Sequence, residues 1–512
     1  MTFQLVNARL FGKPKEELFN VTISDGLISA IYPLGFVDSA IEVIDLDGAW
    51  VAPSFTDAHV HTTNSGVRLI GLDLSGCDSY EALSFEISKL PQSESVFIGH
   101  GWEDSHWSKP ADINVFDQSS PAIYLSRIDA HSALASPRLI QAIPDLAEID
   151  GFHFTNPITR DAHGVIREFA YSKLSKADRT RYIQVAIKEF LANGIGEIHE
   201  MAGPRISSRL DATEVMNASR ELGINIELWW GELDGHETAA ELNSKGCGGD
   251  LFIDGSFGSR TAFVKSAYVD GTFGKQYISV DQATSHIIRG YDYGLPTSFH
   301  VIGDAAIEIA TIAFEAAKQE LGTLKFNTLT HRLEHVEFLT PEVTKRIVDL
   351  NVVFSMQPQF SNEWAGDAGM YNERIGSDWK SLNPLRPILN QGGRMIFGSD
   401  SPVTEINAWK TINSAMNMHN PDYSITQKSA FRAHTVNAER TTERFGIGSP
   451  ANLAVWEVEQ WAQIPTNEIN NRWSTDVRSF PTDFPNAATS PKCLMTISKG
   501  NIVFSKLGDL HV

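Results

Sequence analysis

Val51-Ala-Pro-Ser-Phe-Thr-Asp-Ala-His-Val-His61 is an apolar run that ends in two imidazoles one residue apart. Side chains alternate sides along a strand, so His59 and His61 leave the same face and point the same way. A lone His-x-His is commonly a pair of satisfied or exposed histidines. Here His300, His335 and Asp400 follow it, each at the C-terminal end of a run that reads as a strand. Imidazole and carboxylate are the ligands that divalent metals such as zinc accept. Four histidines and an aspartate in equivalent places therefore predict a metal site, holding one or two ions.

Outward from that stretch, eight strand-like runs succeed one another: 51–58, 196–200, 224–230, 250–254, 296–300, 328–335, 352–357 and 394–400. Most are followed by helix-like sequence. Repeated strand-then-helix units imply parallel strands, and eight of them imply an α/β fold of the (β/α)8 TIM-barrel kind with chemistry at the C-terminal mouth.

Residues 1–50 read instead as short strands, with Asp25-Gly26 placed as a hairpin turn. Further strands surround Lys499-Gly-Asn501 at the other end. The expectation is a small β-sandwich domain of 1–50 plus 449–512, with a metal-binding (β/α)8 barrel over 51–448 inserted between its halves. Residues 66–180 form a long insertion after the first barrel strand, expected to be a lid or subdomain that shapes the substrate pocket.

Composition narrows the function. The 512-residue chain is 42% hydrophobic and 21% charged, as ordinary globular proteins are. Its formal charge of -21 disfavours nucleic acid and anionic membrane surfaces. The N-terminal residues show no basic segment followed by an apolar core, and no stretch is apolar for long enough to span a bilayer. Three separated cysteines, Cys77, Cys247 and Cys493, form neither a disulfide framework nor a paired-cysteine zinc motif. A cytoplasmic protein is expected, with a homodimer as the working guess for its assembly; the charge says little about a small-molecule substrate.

The motifs Pro53-Ser-Phe-Thr-Asp-Ala-His-Val-His61, Gly99-His-Gly-Trp-Glu-Asp104, Asp129-Ala-His-Ser132, Asp254-Gly-Ser-Phe-Gly-Ser-Arg260, His300-Val-Ile-Gly-Asp304, His331-Arg-Leu-Glu-His335 and Phe397-Gly-Ser-Asp-Ser-Pro402 occur in this order. Together they resemble the amidohydrolase superfamily, and within it the amidohydrolase-3 group that includes N-substituted formamide deformylase. The resemblance implies that His59, His61 and Asp400 hold one ion and His300 and His335 a second, with zinc the expected metal. His331 rivals His335, but the family ligand is the last residue of that motif. Asp400 would also shuttle the proton between the attacking water and the leaving amine.

Many relatives carry a carboxylated lysine four residues before the Asp-Gly of the fourth strand, where its carbamate bridges two metals. Asp250 stands there in this chain. Its short side chain is expected to fall short of the metals and to sit in a polar layer at the bottom of the barrel. Glu200 could then supply a bridging carboxylate from the second strand, or the site is mononuclear. Trp102, His131, Arg260 and Gln357 are candidates for substrate contact, and Asp304 for orienting His300.

The expected reaction is metal-dependent hydrolysis of a non-peptide C–N bond in an amide, formamide or N-acyl substrate. The alternatives are a mononuclear deaminase of a cyclic C=N substrate and a catalytically silent barrel used for binding. Deaminases of the superfamily usually place a glutamate three residues after the fifth-strand histidine, and Gly303 stands there.

Overall fold

The computed structural model describes residues 2–93, 95–104, 106–128, 132–155, 157–436, 445–463 and 483–507. At its centre are two four-stranded parallel sheets. One is built from β1 (Phe55–Val60), β2 (Ile195–Ala202), β3 (Asn225–Trp230) and β4 (Gly246–Cys247). The other is built from β5 (Ser298–Val301), β6 (Arg332–His335), β7 (Val353–Met356) and β8 (Met395–Phe397). Parallel bridges from Val60 to Ser401 and from Cys247 to Thr297 join the two sheets at both of their edges. The result is a TIM-barrel-like α/β fold.

Helices cover the outside because their apolar positions recur at three and four residues. In the helix Asp304–Leu321, Ala306, Ala310, Ala313 and Ala317 are buried, and their small side chains let the helix lie close to the sheet. No helix of the described residues is long and apolar enough to cross a membrane.

Two expected strands differ from what forms. The run 51–58 is two strands in different sheets, separated by Ser54: Trp50–Pro53 and β1. Trp50–Pro53 pairs antiparallel with Leu453–Glu457, Trp50 opposite Trp456, and parallel with Arg9 and Leu10. It thereby joins strands from both ends of the chain into one mixed eight-stranded sheet.

The fourth strand also forms earlier than the expected 250–254. Gly248 (φ 151°) and Gly249 (φ 88°) turn the chain immediately after Cys247. A Cβ on Gly248 would lie 2.2 Å from the Ser298 carbonyl oxygen, and one on Gly249 2.6 Å from the Met201 sulfur. Only glycine permits this inward passage.

The insertion carries its own sheet, in the order Ile158–Thr159, Ser132–Ala135, Ile123–Arg127, Phe97–Trp102 and Leu72–Asp73. Two apolar clusters pack around it, one containing Trp102, Leu74 and Leu125.

Candidate active site

Four imidazoles meet two carboxylates at the C-terminal ends of the central strands. His59 Nε2 lies 3.4 Å from Asp250 Oδ1 and 3.6 Å from Asp400 Oδ1. His61 Nε2 lies 3.3 Å from Asp250 Oδ2 and 3.2 Å from Asp400 Oδ1. On the opposite side, His300 Nδ1 is 3.4 Å and His335 Nε2 3.8 Å from Asp250 Oδ1. Asp250 is therefore common to two ligand groups, one with His59 and His61 and one with His300 and His335. Asp400 groups with His59 and His335.

The outer nitrogen of each imidazole is already engaged. His59 Nδ1 donates to Glu334 Oε2 at 2.9 Å, His61 Nδ1 to the Met201 carbonyl at 3.0 Å, His300 Nε2 to the Gly255 carbonyl at 3.3 Å and His335 Nδ1 to Gln357 Oε1 at 2.9 Å. This assigns the protons to the outer nitrogens and leaves four lone pairs aimed inward. His59 Nε2, His300 Nδ1, Asp250 Oδ1 and Asp400 Oδ1 are buried and have no hydrogen-bond partner. Unpartnered buried polar atoms are costly, and divalent cations bound among them would satisfy all four. The donor set fits the metal that the sequence predicts.

The surroundings are charged and dry. Burial opposes charge on His61, yet hydrogen bonds and charge from Asp250 and Asp400 hold its pKa up to about 10, so a cation bound there would displace the inner proton. Glu334 is fully buried, but Arg332 and His59 outweigh that burial and keep it below the usual carboxylate range. Arg332 is itself buried. Its guanidinium reaches Glu334 Oε1 at 2.6 Å, His199 Nδ1 at 2.9 Å and the Ala58 carbonyl at 2.6 Å, and lies over the Trp229 ring.

Backbone conformation also shapes the site. His335 (φ 69°) and Asp400 (φ 54°) lie in the left-handed region, which non-glycine residues enter at a cost. At Gly398 a Cβ would lie 2.5 Å from the His59 nitrogen, so glycine lets the end of β8 press against β1.

Several expected site residues stand elsewhere. Asp250 is not in a basal polar layer: the Gly248-Gly249 turn carries its backbone inward, so its short carboxylate reaches the four histidines. Glu200 is not placed as a ligand. Its Oε2 accepts from the backbone N–H and hydroxyl of Thr62, which opens the helix Thr62–Ile70, and burial pushes its pKa to about 7. Trp102 does not wall a pocket, because it is buried in the insertion's core with its Nε1 donating to the Leu125 carbonyl at 3.0 Å.

Gln357 faces His335 and orients it. Asp304 does not contact His300: its Oδ1 accepts from the Lys265 backbone N–H at 2.9 Å. His331 is buried away from the cluster, between Tyr291 and the Thr297 backbone. Arg260 lines a cavity that also reaches His300, with its Nε 3.1 Å from Asp270 Oδ2. His131 lies outside the described residues. The buried Arg332 and Glu334 were not singled out from sequence.

The chain is similar to known proteins over most of its length. The chain is 24% identical over 469 residues to the protein LONG AFTER FAR-RED 3 of Arabidopsis thaliana, covering 82% of this chain and 79% of that one. It is 22% identical over 468 residues to an N-substituted formamide deformylase of Arthrobacter pascens, covering 81% and 84%. A solved structure of an uncharacterized metal-dependent hydrolase from Pyrococcus furiosus superposes with a TM-score of 0.68 at 23% identity, covering 89% of this chain and 98% of that one. The model of the amidohydrolase family matches residues 42–504. The chain belongs to the amidohydrolase family.

Proposed function

We propose that the protein is a metal-dependent hydrolase that cleaves a non-peptide C–N bond in a small amide, formamide or N-acyl compound. The observation that carries this reading is the shared position of Asp250, one carboxylate facing four imidazoles whose free lone pairs converge on it. His59, His61 and Asp400 would hold one ion and His300 and His335 the other, with Asp250 common to both; zinc suits these donors. A bound ion lowers the pKa of water and polarises the scissile carbonyl.

The chain's own residues supply the remaining chemistry. Asp400 accepts the proton released by the attacking water and returns it to the departing amine nitrogen, whose lone pair must be protonated for the bond to break. Glu334, Gln357 and the Met201 and Gly255 carbonyls fix the imidazoles in the tautomer that donates lone pairs inward. The deformylase activity named for the Arthrobacter relative belongs to this reaction class.

Deamination is disfavoured by a steric fact. Gly303 occupies the glutamate position of the family's deaminases, and any Cβ there would lie 2.1 Å from the Phe263 carbonyl oxygen.

Metal analysis together with turnover tests the proposal. Protein purified without chelator should hold about two equivalents of divalent metal and hydrolyse members of an N-formyl and N-acyl amine panel. Asp250→Asn should lose at least one equivalent. Asp400→Asn should lower kcat by about a hundredfold or more, the scale of a lost general acid–base. A chain that binds no metal, or an Asp400→Asn variant with full turnover, overturns the reading.

A further inference from the structure

A cavity of about 530 Å³ opens beside His300, between the insertion's helix Arg160–Ser172 and the loops after β2 and β4. Its walls hold six arginines, Arg127, Arg160, Arg167, Arg205, Arg260 and Arg374, and no lysine. For a chain of formal charge -21 this is a marked local reversal.

Three carboxylates also line the cavity, and each is offset locally. Asp161 is paired with Lys275 at 2.9 Å. Asp254 accepts backbone N–H bonds from Phe263, Ile302 and Gly303, while burial pushes its pKa to about 8. Burial also raises Glu168, against the attraction of Arg205.

The arginines divide into two sets. Arg127, Arg160, Arg260 and Arg374 pair with acidic residues: Arg127 with Glu103 and Asp104, Arg160 with Asp150, Arg260 with Asp270, and Arg374 with Glu373. Among the described residues Arg167 and Arg205 have no ion-paired carboxylate. An Arg167 Nη donates to the Arg205 backbone carbonyl at 2.7 Å, which ties the two residues together, and Arg167 Nε is buried without a partner. Two arginines without an ion-paired carboxylate thus line one cavity, one of them with a buried unsatisfied donor, and the forked N–H groups of a guanidinium match a planar carboxylate.

We propose that this cavity selects substrates that carry a carboxylate, seated on Arg167 and Arg205 while the scissile amide lies at the histidine–aspartate cluster. The inference rests on the hydrolase reading above and adds the substrate class, an N-formyl or N-acyl amino acid or similar acid. The flanking ion pairs hold the other arginines in place and leave Arg167 and Arg205 as the cavity's positive charge.

The test compares N-formyl-phenylalanine with N-formyl-phenethylamine, which differ only by the carboxylate, on the metal-loaded full chain. The acid should show a kcat/KM at least tenfold higher. Arg205→Met removes a side chain with no ion pair of its own. It should raise KM for the acid severalfold with kcat nearly unchanged, and leave the neutral compound unaffected. Arg167→Met should act in the same direction and more strongly.

Equal rates for the two compounds, or variants that slow both alike, overturn the carboxylate pocket while leaving the hydrolase reading intact. If metal binds and neither compound turns over, calorimetric titration of the same protein decides. Tighter binding of the acid that is lost in Arg205→Met upholds the pocket, and equal binding overturns it.

Discussion

Arg332 and Glu334, two residues apart on β6, form a wholly buried ion pair at 2.6 Å, and the same glutamate accepts the outer N–H of His59. The pair fixes which nitrogen of His59 faces inward. Glu334→Gln keeps the shape but weakens the acceptor, and metal affinity should fall by roughly tenfold to a hundredfold. Competition with a fluorescent chelator measures this. Arg332→Met leaves the carboxylate buried without its cation and should destabilise the protein by about 3–5 kcal/mol in urea unfolding.

Glu200→Gln separates a helix-capping role from ligation. Its oxygen serves Thr62, so the variant should keep the wild-type metal content and lose about 1 kcal/mol of stability. Elemental analysis showing one ion lost would return Glu200 to the ligand set.

Gly398→Ala places a methyl group 2.5 Å from the His59 nitrogen. β1 and β8 must then separate, at a cost of about 1–3 kcal/mol. Metal affinity should fall along with the melting temperature, because the displaced residue is itself a proposed ligand. Unchanged metal affinity would show that the end of β8 adjusts without moving His59.

Burial pushes the pKa of His331 down to about 3. The folded state therefore keeps this ring neutral where the unfolded chain takes up a proton near pH 6.5. Its contribution is fully present above that pH and declines as pH falls toward 3, because the unfolded state binds the extra proton. The stability of the native chain relative to His331→Asn should thus shrink by about 1.4 kcal/mol per unit between pH 6 and pH 4. Urea midpoints at three pH values suffice. A gap that stays constant would mean that the ring protonates in the folded protein.

What the sequence made legible was local. Asp25-Gly26 reads as a two-residue turn and forms one, with φ of 53° and 80° between Ser24 and Leu27. The period of two in β1 brings His59 and His61 to one cluster. At β6 the alternation breaks: Glu334 and His335 are neighbours yet both reach the cluster, and His335 and Val336 have positive φ.

Asp250 was misplaced for a related reason. A strand through 250–254 puts its carboxylate low, whereas the glycine turn before it shifts the backbone by an amount that no alternation pattern records. Arg332 and Glu334 look like surface residues until the enclosed interior of the central sheets is known to need a paired charge.

The junction at Ser54 also sets a timetable. The strand Trp50–Pro53, one residue ahead of the strand that carries His59, is completed by Leu453–Glu457, which in turn pairs with Lys492–Ser498. On the ribosome, the strand just ahead of His59 must wait for Leu453–Glu457 to be made before it is paired on that side. Until then the nascent chain exposes an open sheet edge next to the histidines of the proposed metal site.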